Sequence, residues 1–170
     1  AELAARLSAA GWEITDEPSA AEAVVVNTCG FIESARKDSI DALMQAADLK
    51  QDSAVKAVVA VGCMAERYGQ ELADSITEAD AVLGFDQYDN IGSTLADIVG
   101  GVRIASHQPQ DRRLLTASAP AARHSDAVTV PGHASGDVVR VRLDSKPYAP
   151  VKLASGCDRR CTFCAIPRFR

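Results

Sequence analysis

Apolar positions along the first hundred residues follow two alternating periods. Leu3, Ala4, Leu7 and Ala10 mark one face of a helix, and Gly11 supplies its stop. Ala21 to Val26 is short, β-branched and free of polar alternation, as expected of a strand covered on both faces. The helical period returns through Ile32, Ala35, Ile40, Leu43, Ala46, Ala47 and Leu49. A second buried-type run from Ala57 to Val61 and a helix from about Met64 to Ala73 follow. A third apolar run, Ala81 to Leu83, ends in Gly84, and a last helix from about Tyr88 to Val99 closes against Gly100 and Gly101. Strand and helix in alternation predict an α/β fold, an open parallel sheet with helices on its faces and right-handed connections. The first helix lacks a preceding strand, so a further strand and loop are expected upstream of Ala1, in a longer protein of which this is a piece.

From Ser106 to Gly136 the pattern dissolves into Ala, Ser, Pro, Gly, His and Arg, a composition too poor in apolar surface to offset chain entropy. Beyond it, Val138, Val139, Val141 and Leu143 predict a strand, and Tyr148 to Leu153 another that runs into a cysteine cluster. The expected organisation is an α/β domain over residues 1–101, a flexible linker over 102–136, and the start of a second domain over 137–170.

A hydrophobic share of 47% with 24% charged residues fits a soluble globular class. No apolar run approaches the roughly 18 residues of a membrane span, and no basic-then-apolar leader opens the chain. A cytoplasmic location without a membrane partner is therefore expected. The net charge of −5 conceals an asymmetry: residues 1–100 carry 6 basic and 18 acidic side chains, residues 101–170 carry 12 and 5. The acidic half argues against nucleic-acid binding there, whereas the basic half suits either an anionic partner or a solvated linker.

Five cysteines, an odd number without a secretory leader, point to metal or redox chemistry rather than a disulfide framework. Cys157, Cys161 and Cys164 form a C-x3-C-x2-C set directly after a predicted strand, so one loop can wrap three thiolates around a compact centre. A four-iron cluster held by three thiolates leaves one iron open to an outside ligand such as S-adenosylmethionine. The competing reading is a zinc-binding interaction module using these thiols and His133. Cys29 and Cys63 each directly follow a buried-type run and precede a helix, which places both at the carboxyl edge of one sheet, where open α/β domains bind ligands. They read as ligands of a second site or as buried structural thiols.

Weaker candidates surround these. His107, His124 and His133 fall in or near the linker, where an exposed histidine without a partner is the default. Arg159, Arg160, Arg168 and Arg170 suit a carboxylate or a solvated basic loop equally well. Trp12 and Tyr68 read as packing residues, and neither a Ser-His-Asp set nor a phosphate-binding glycine loop is present.

The cysteine loop, with Phe163 just before its last cysteine, resembles the signature of the radical S-adenosylmethionine superfamily. The segments Asn27–Ala35, Gly62-Cys63-Met64 and Gly156–Pro167 resemble the methylthiotransferase family. That resemblance implies an amino-terminal α/β domain with an auxiliary cluster, joined to a radical S-adenosylmethionine barrel of which only the first strand and cluster loop are present. It implies two [4Fe-4S] clusters, one on Cys157, Cys161 and Cys164 and an auxiliary one on Cys29, Cys63 and a third ligand expected upstream. It also implies S-adenosylmethionine as cofactor, with Phe163 near its adenine, and a reducing partner such as flavodoxin or ferredoxin. One cofactor molecule would methylate a sulfur on the auxiliary cluster, and another would yield the radical that takes hydrogen from the substrate carbon. The segment Asn27–Ala35 and the Arg159-Arg160 pair resemble the branch that modifies an aspartate β-carbon of small-subunit ribosomal protein twelve. Gly62–Ala65 suits the tRNA-modifying branch as well. Against the family pattern, the first auxiliary cysteine, most of the barrel and the substrate-binding domain are missing, which implies that this chain alone does not turn over.

Overall fold

A computed structural model describes residues 2–111, 143, 146–148, 157, 159 and 161–169. Helix α1 (Glu2–Ala9) leads through a short 3₁₀ turn to strand β1 (Ala23–Thr28). Helix α2 (Glu33–Asp52), strand β2 (Ala57–Gly62), helix α3 (Cys63–Ser75) and strand β3 (Ala81–Val82) follow. A 3₁₀ segment (Phe85–Asn90) opens directly into α4 (Ile91–Val99), and a single helical turn, α5 (Ile166–Phe169), closes the described residues. The three strands form a parallel sheet in the order β1-β2-β3, as the alternating pattern predicts.

Strand β2 is central and buried at every position, which explains its unbroken apolar sequence. Its side chains divide by parity. Val58 and Ala60 face a core with Leu43 and Ala46 of α2 and Met64 and Leu72 of α3. Ala57, Val59 and Val61 face a second core with Leu7 of α1 and Ile91, Leu95 and Ile98 of α4. Helices thus cover both faces, giving three layers. Strand β1 departs from the expectation of full burial, since its first four residues are only half-buried. Among the described residues it pairs on one side alone, with β2. Trp12 and Tyr68 pack where expected, Trp12 at the α1–α4 core with its indole N–H donating to the Gly92 carbonyl at 3.1 Å.

Residues 102–111 belong to the stretch read as a linker, yet their described path runs against the domain. The His107 N–H donates to the Val82 carbonyl at 2.9 Å, continuing the hydrogen bonding of β3. His107 is buried, which corrects the expectation of an exposed, unpartnered histidine. Room for it comes from two glycines: α3 is kinked at Gly69 (φ 41°), beneath the His107 carbonyl, and the imidazole occupies the space a side chain at residue 84 would need. Its Nε2 lies 3.4 Å from the buried Glu66 carboxylate, close enough for an ion pair but poorly aligned for a hydrogen bond. The rest of the expected linker, the two later strands, His124, His133, Arg160 and Arg170 lie outside the described residues.

Candidate metal centre

Parallel register determines where the first two cysteines stand. Thr28 pairs with Gly62 at the carboxyl ends of β1 and β2, so Cys29 and Cys63 are the next residues on adjacent strands. The turns that carry them touch. A Cβ at Gly30 would lie 2.8 Å from the Cys63 carbonyl carbon and oxygen, so only glycine permits this approach. Gly62 turns the chain into α3 at φ 95°, ψ −161°, with its N–H donating to the Tyr88 hydroxyl at 2.9 Å. Thr28 braces the same corner. Its hydroxyl donates to the Val61 carbonyl at 2.6 Å and accepts from the Ala65 N–H at 3.3 Å, satisfying a free donor in the first turn of α3 from a neighbouring strand. Cys63 is therefore the first residue of a helix whose start is held by β1.

Cys29 sits in a turn of converging N–H donors. Hydrogen bonds from the Ile32 and Phe31 amides hold its thiol below the usual range; partial burial opposes them and the Arg36 charge adds to them. Its own N–H donates to the Ser39 hydroxyl at 2.9 Å, and that hydroxyl donates to the Ala35 carbonyl at 2.7 Å. The turn is thereby anchored to α2, and the sulfur is biased toward the thiolate that binds soft metals.

The second set lies on a short loop. Cys157 and Cys161 are exposed and Cys164 half-buried, and the Cys164 N–H donates to the Cys161 carbonyl at 3.2 Å. Phe163 is 91% exposed between them, its ring free to cover a ligand. Phe169 of α5 is buried, and its ring lies 6.2 Å from that of Phe31, two residues past Cys29. A cavity of about 320 Å³ separates this loop from α3, bounded by Cys161, Cys164 and Arg168 on one side and Arg67 on the other.

All five cysteines are free thiols, and the donor set is purely soft, which fits iron-sulfur or zinc chemistry. Among the described residues no three of His, Cys, Asp and Glu stand gathered as a metal site. Three contributors carried little signal in the sequence. Thr28 and Gly62 act through a cross-strand brace that no local spacing encodes, whereas Arg67 stands four residues after Cys63, the spacing that puts two side chains on one helical face.

Residues 1–84 match the family described as "Uncharacterized protein family UPF0004". The chain is 56% identical to the ribosomal protein uS12 methylthiotransferase RimO of Kineococcus radiotolerans, over 99% of this chain and 37% of that protein. The RimO proteins of Nocardioides sp. (57%) and Streptomyces coelicolor (54%) are matched over 99% of this chain and 36% and 37% of their own lengths. The chain spans a little over a third of the curated relatives it matches. With a parallel sheet that sets Cys29 beside Cys63, and this similarity along nearly its whole length, the chain is RimO-like and resembles the methylthiotransferases.

Proposed function

We propose that this chain is part of a radical S-adenosylmethionine enzyme that places a methylthio group on the β-carbon of an aspartate in a small-subunit ribosomal protein. The observation that carries the reading is 51–57% identity, across 99% of the chain, to proteins named ribosomal protein uS12 methylthiotransferase. Cys157, Cys161 and Cys164 hold one four-iron cluster, and Cys29 and Cys63 contribute to a second. When bound, the clusters and S-adenosylmethionine supply the one-electron chemistry and the sulfur that exchange an unactivated C–H bond for a C–S bond, which side-chain acids and bases cannot do. A one-electron donor protein such as flavodoxin or ferredoxin supplies the reducing equivalents.

The chain's own residues build and orient the two sites. Hydrogen bonds from the Ile32 and Phe31 amides favour the thiolate form of Cys29. Thr28 and Gly62 hold Cys63 beside it. The Cys161–Cys164 turn presents its sulfurs from an exposed loop whose far end is pinned by Phe169, and Phe163 offers an open aromatic face to the adenine ring. The test supplies the intact enzyme with ribosomal protein twelve and with tRNA in separate anaerobic reactions, followed by mass spectrometry. A methylthio increment on the aspartate peptide supports the reading; an increment on tRNA alone overturns the substrate, and none on either overturns the reaction.

A further inference from the structure

One arginine bonds the Cys29 turn and faces the second cysteine loop across a cavity. Arg67 is half-buried on α3, and its Nη1 donates to the Gly30 carbonyl at 3.0 Å, the residue directly after Cys29. The same side chain bounds the 320 Å³ cavity whose opposite side is the Cys161–Arg168 loop. Its guanidinium carbon stands 5.0 Å from the Tyr68 ring centroid, and the Tyr68 hydroxyl accepts from Arg36 of α2 at 3.1 Å. The side chain is thus steadied by stacking and, through Tyr68, by α2, while its fork holds the Cys29 turn and borders the cavity that the Cys161–Arg168 loop closes from the other side. The two loops also touch directly through the Phe31–Phe169 ring pair. Family resemblance assigns Arg67 no part, and the sequence alone offers only its place one helical turn beyond Cys63.

We propose that Arg67 is a positioning residue that ties the Cys29 turn to the Cys161–Cys164 loop and so fixes the separation between the two cysteine sites. A guanidinium suits this task because its several N–H donors lie in one rigid plane, so one can hold a carbonyl while others face the neighbouring loop. A lysine, with a flexible stem and a compact charge, keeps the cation but loses the planar fork. The tie deepens the proposed reaction, in which two sites must cooperate, yet it concerns the metal-free chain and is tested without that reaction.

Hydrogen exchange of the reduced, metal-free chain supplies the test, comparing wild type, Arg67→Ala and Arg67→Lys. Loss of a charge-assisted hydrogen bond predicts exchange at least about tenfold faster in Arg67→Ala. The acceleration should occur in both Gly30–Glu33 and Cys161–Phe169, with no change in the buried strand Ala57–Gly62. Arg67→Lys should accelerate the same two segments by a smaller factor. Phe169→Ala, altered only on the far loop, should also accelerate exchange at Gly30–Glu33. Acceleration confined to Gly30–Glu33 would make Arg67 a local brace and overturn the proposal, as would no change in either segment. If Arg67→Ala also loosens Ala57–Gly62, Arg67→Lys and Phe169→Ala decide, and failure of either to move both loops rejects the tie. The proposed reaction can fail on its substrates while this result holds, and the reverse is equally possible.

Discussion

Replacing Gly62 by alanine tests whether the corner that presents Cys63 is built as tightly as its geometry indicates. At φ 95°, ψ −161°, Gly62 occupies a region essentially reserved for glycine, and another residue there carries about 1–3 kcal/mol of strain. A Cβ would also stand 2.7 Å from the Thr28 carbonyl oxygen and 3.0 Å from the Thr28 nitrogen, and would press on the Asn27 side-chain oxygen. Two of these are backbone atoms of a paired strand and cannot swing aside, so overpacking adds about 1–3 kcal/mol. The sum, about 2–6 kcal/mol, is a large part of the total stability of an ordinary domain. Gly11 provides the control, because its φ of 91° is similar but nothing lies within 4 Å of a Cβ there. At roughly 2–4 °C per kcal/mol, Gly62→Ala should lower the thermal midpoint by about 5–20 °C. Gly11→Ala, which meets conformational strain of about 1–2 kcal/mol, should lower it by about 2–8 °C. Far-UV circular dichroism melts of the metal-free chain measure both. Equal shifts in the two variants, or a Gly62→Ala midpoint indistinguishable from wild type, would refute the claim that contact between β1 and this turn holds Cys63 in place.

Two further predictions address the thiol and the packed segment after α4. Amide donors lower the Cys29 thiol in the folded chain, so its stabilising contribution is present above the unfolded value and fades as pH falls through the folded value. Iodoacetamide labelling followed by peptide mass spectrometry should give a rate-pH midpoint for Cys29 lower in the native chain than in urea; an equal or higher native midpoint contradicts the assigned hydrogen bonds. Glu66, 2% exposed, accepts the Phe85 N–H at 2.7 Å and faces His107. Glu66→Ala removes the carboxylate that accepts this part-buried donor and faces His107, which should cost about 1–3 kcal/mol in urea unfolding and open residues 102–111 to protease, whereas unchanged cleavage would show that the pair does not hold this segment.

Much of the α/β framework was legible because periodicity reports burial directly. The unbroken apolar run Ala57–Val61 reads as a central strand and is one, and the helices after it follow their apolar stripes. Strand β1 was misjudged in burial, because a β-branched run specifies extended backbone but not how many neighbours will cover it. His107 departs from its expectation for a related reason: a polar, proline-bearing stretch reads as solvated, and its burial depends on Glu66 and Gly69 of α3 and on Gly84 after β3, all distant from it in the chain. At the candidate site, the cysteines announce themselves by chemistry and spacing. Thr28, Gly62 and Arg67 do not, since their roles arise only where parallel register sets one strand end beside another.

Iron content after anaerobic reconstitution tests the central claim most directly, with the chain compared against its Cys161→Ser variant. The account predicts a brown protein with broad thiolate-to-iron absorbance in the visible range, and a loss of about four irons per chain in the variant. A colourless wild-type chain that binds zinc in place of iron, or a variant that keeps its full iron content, would contradict it.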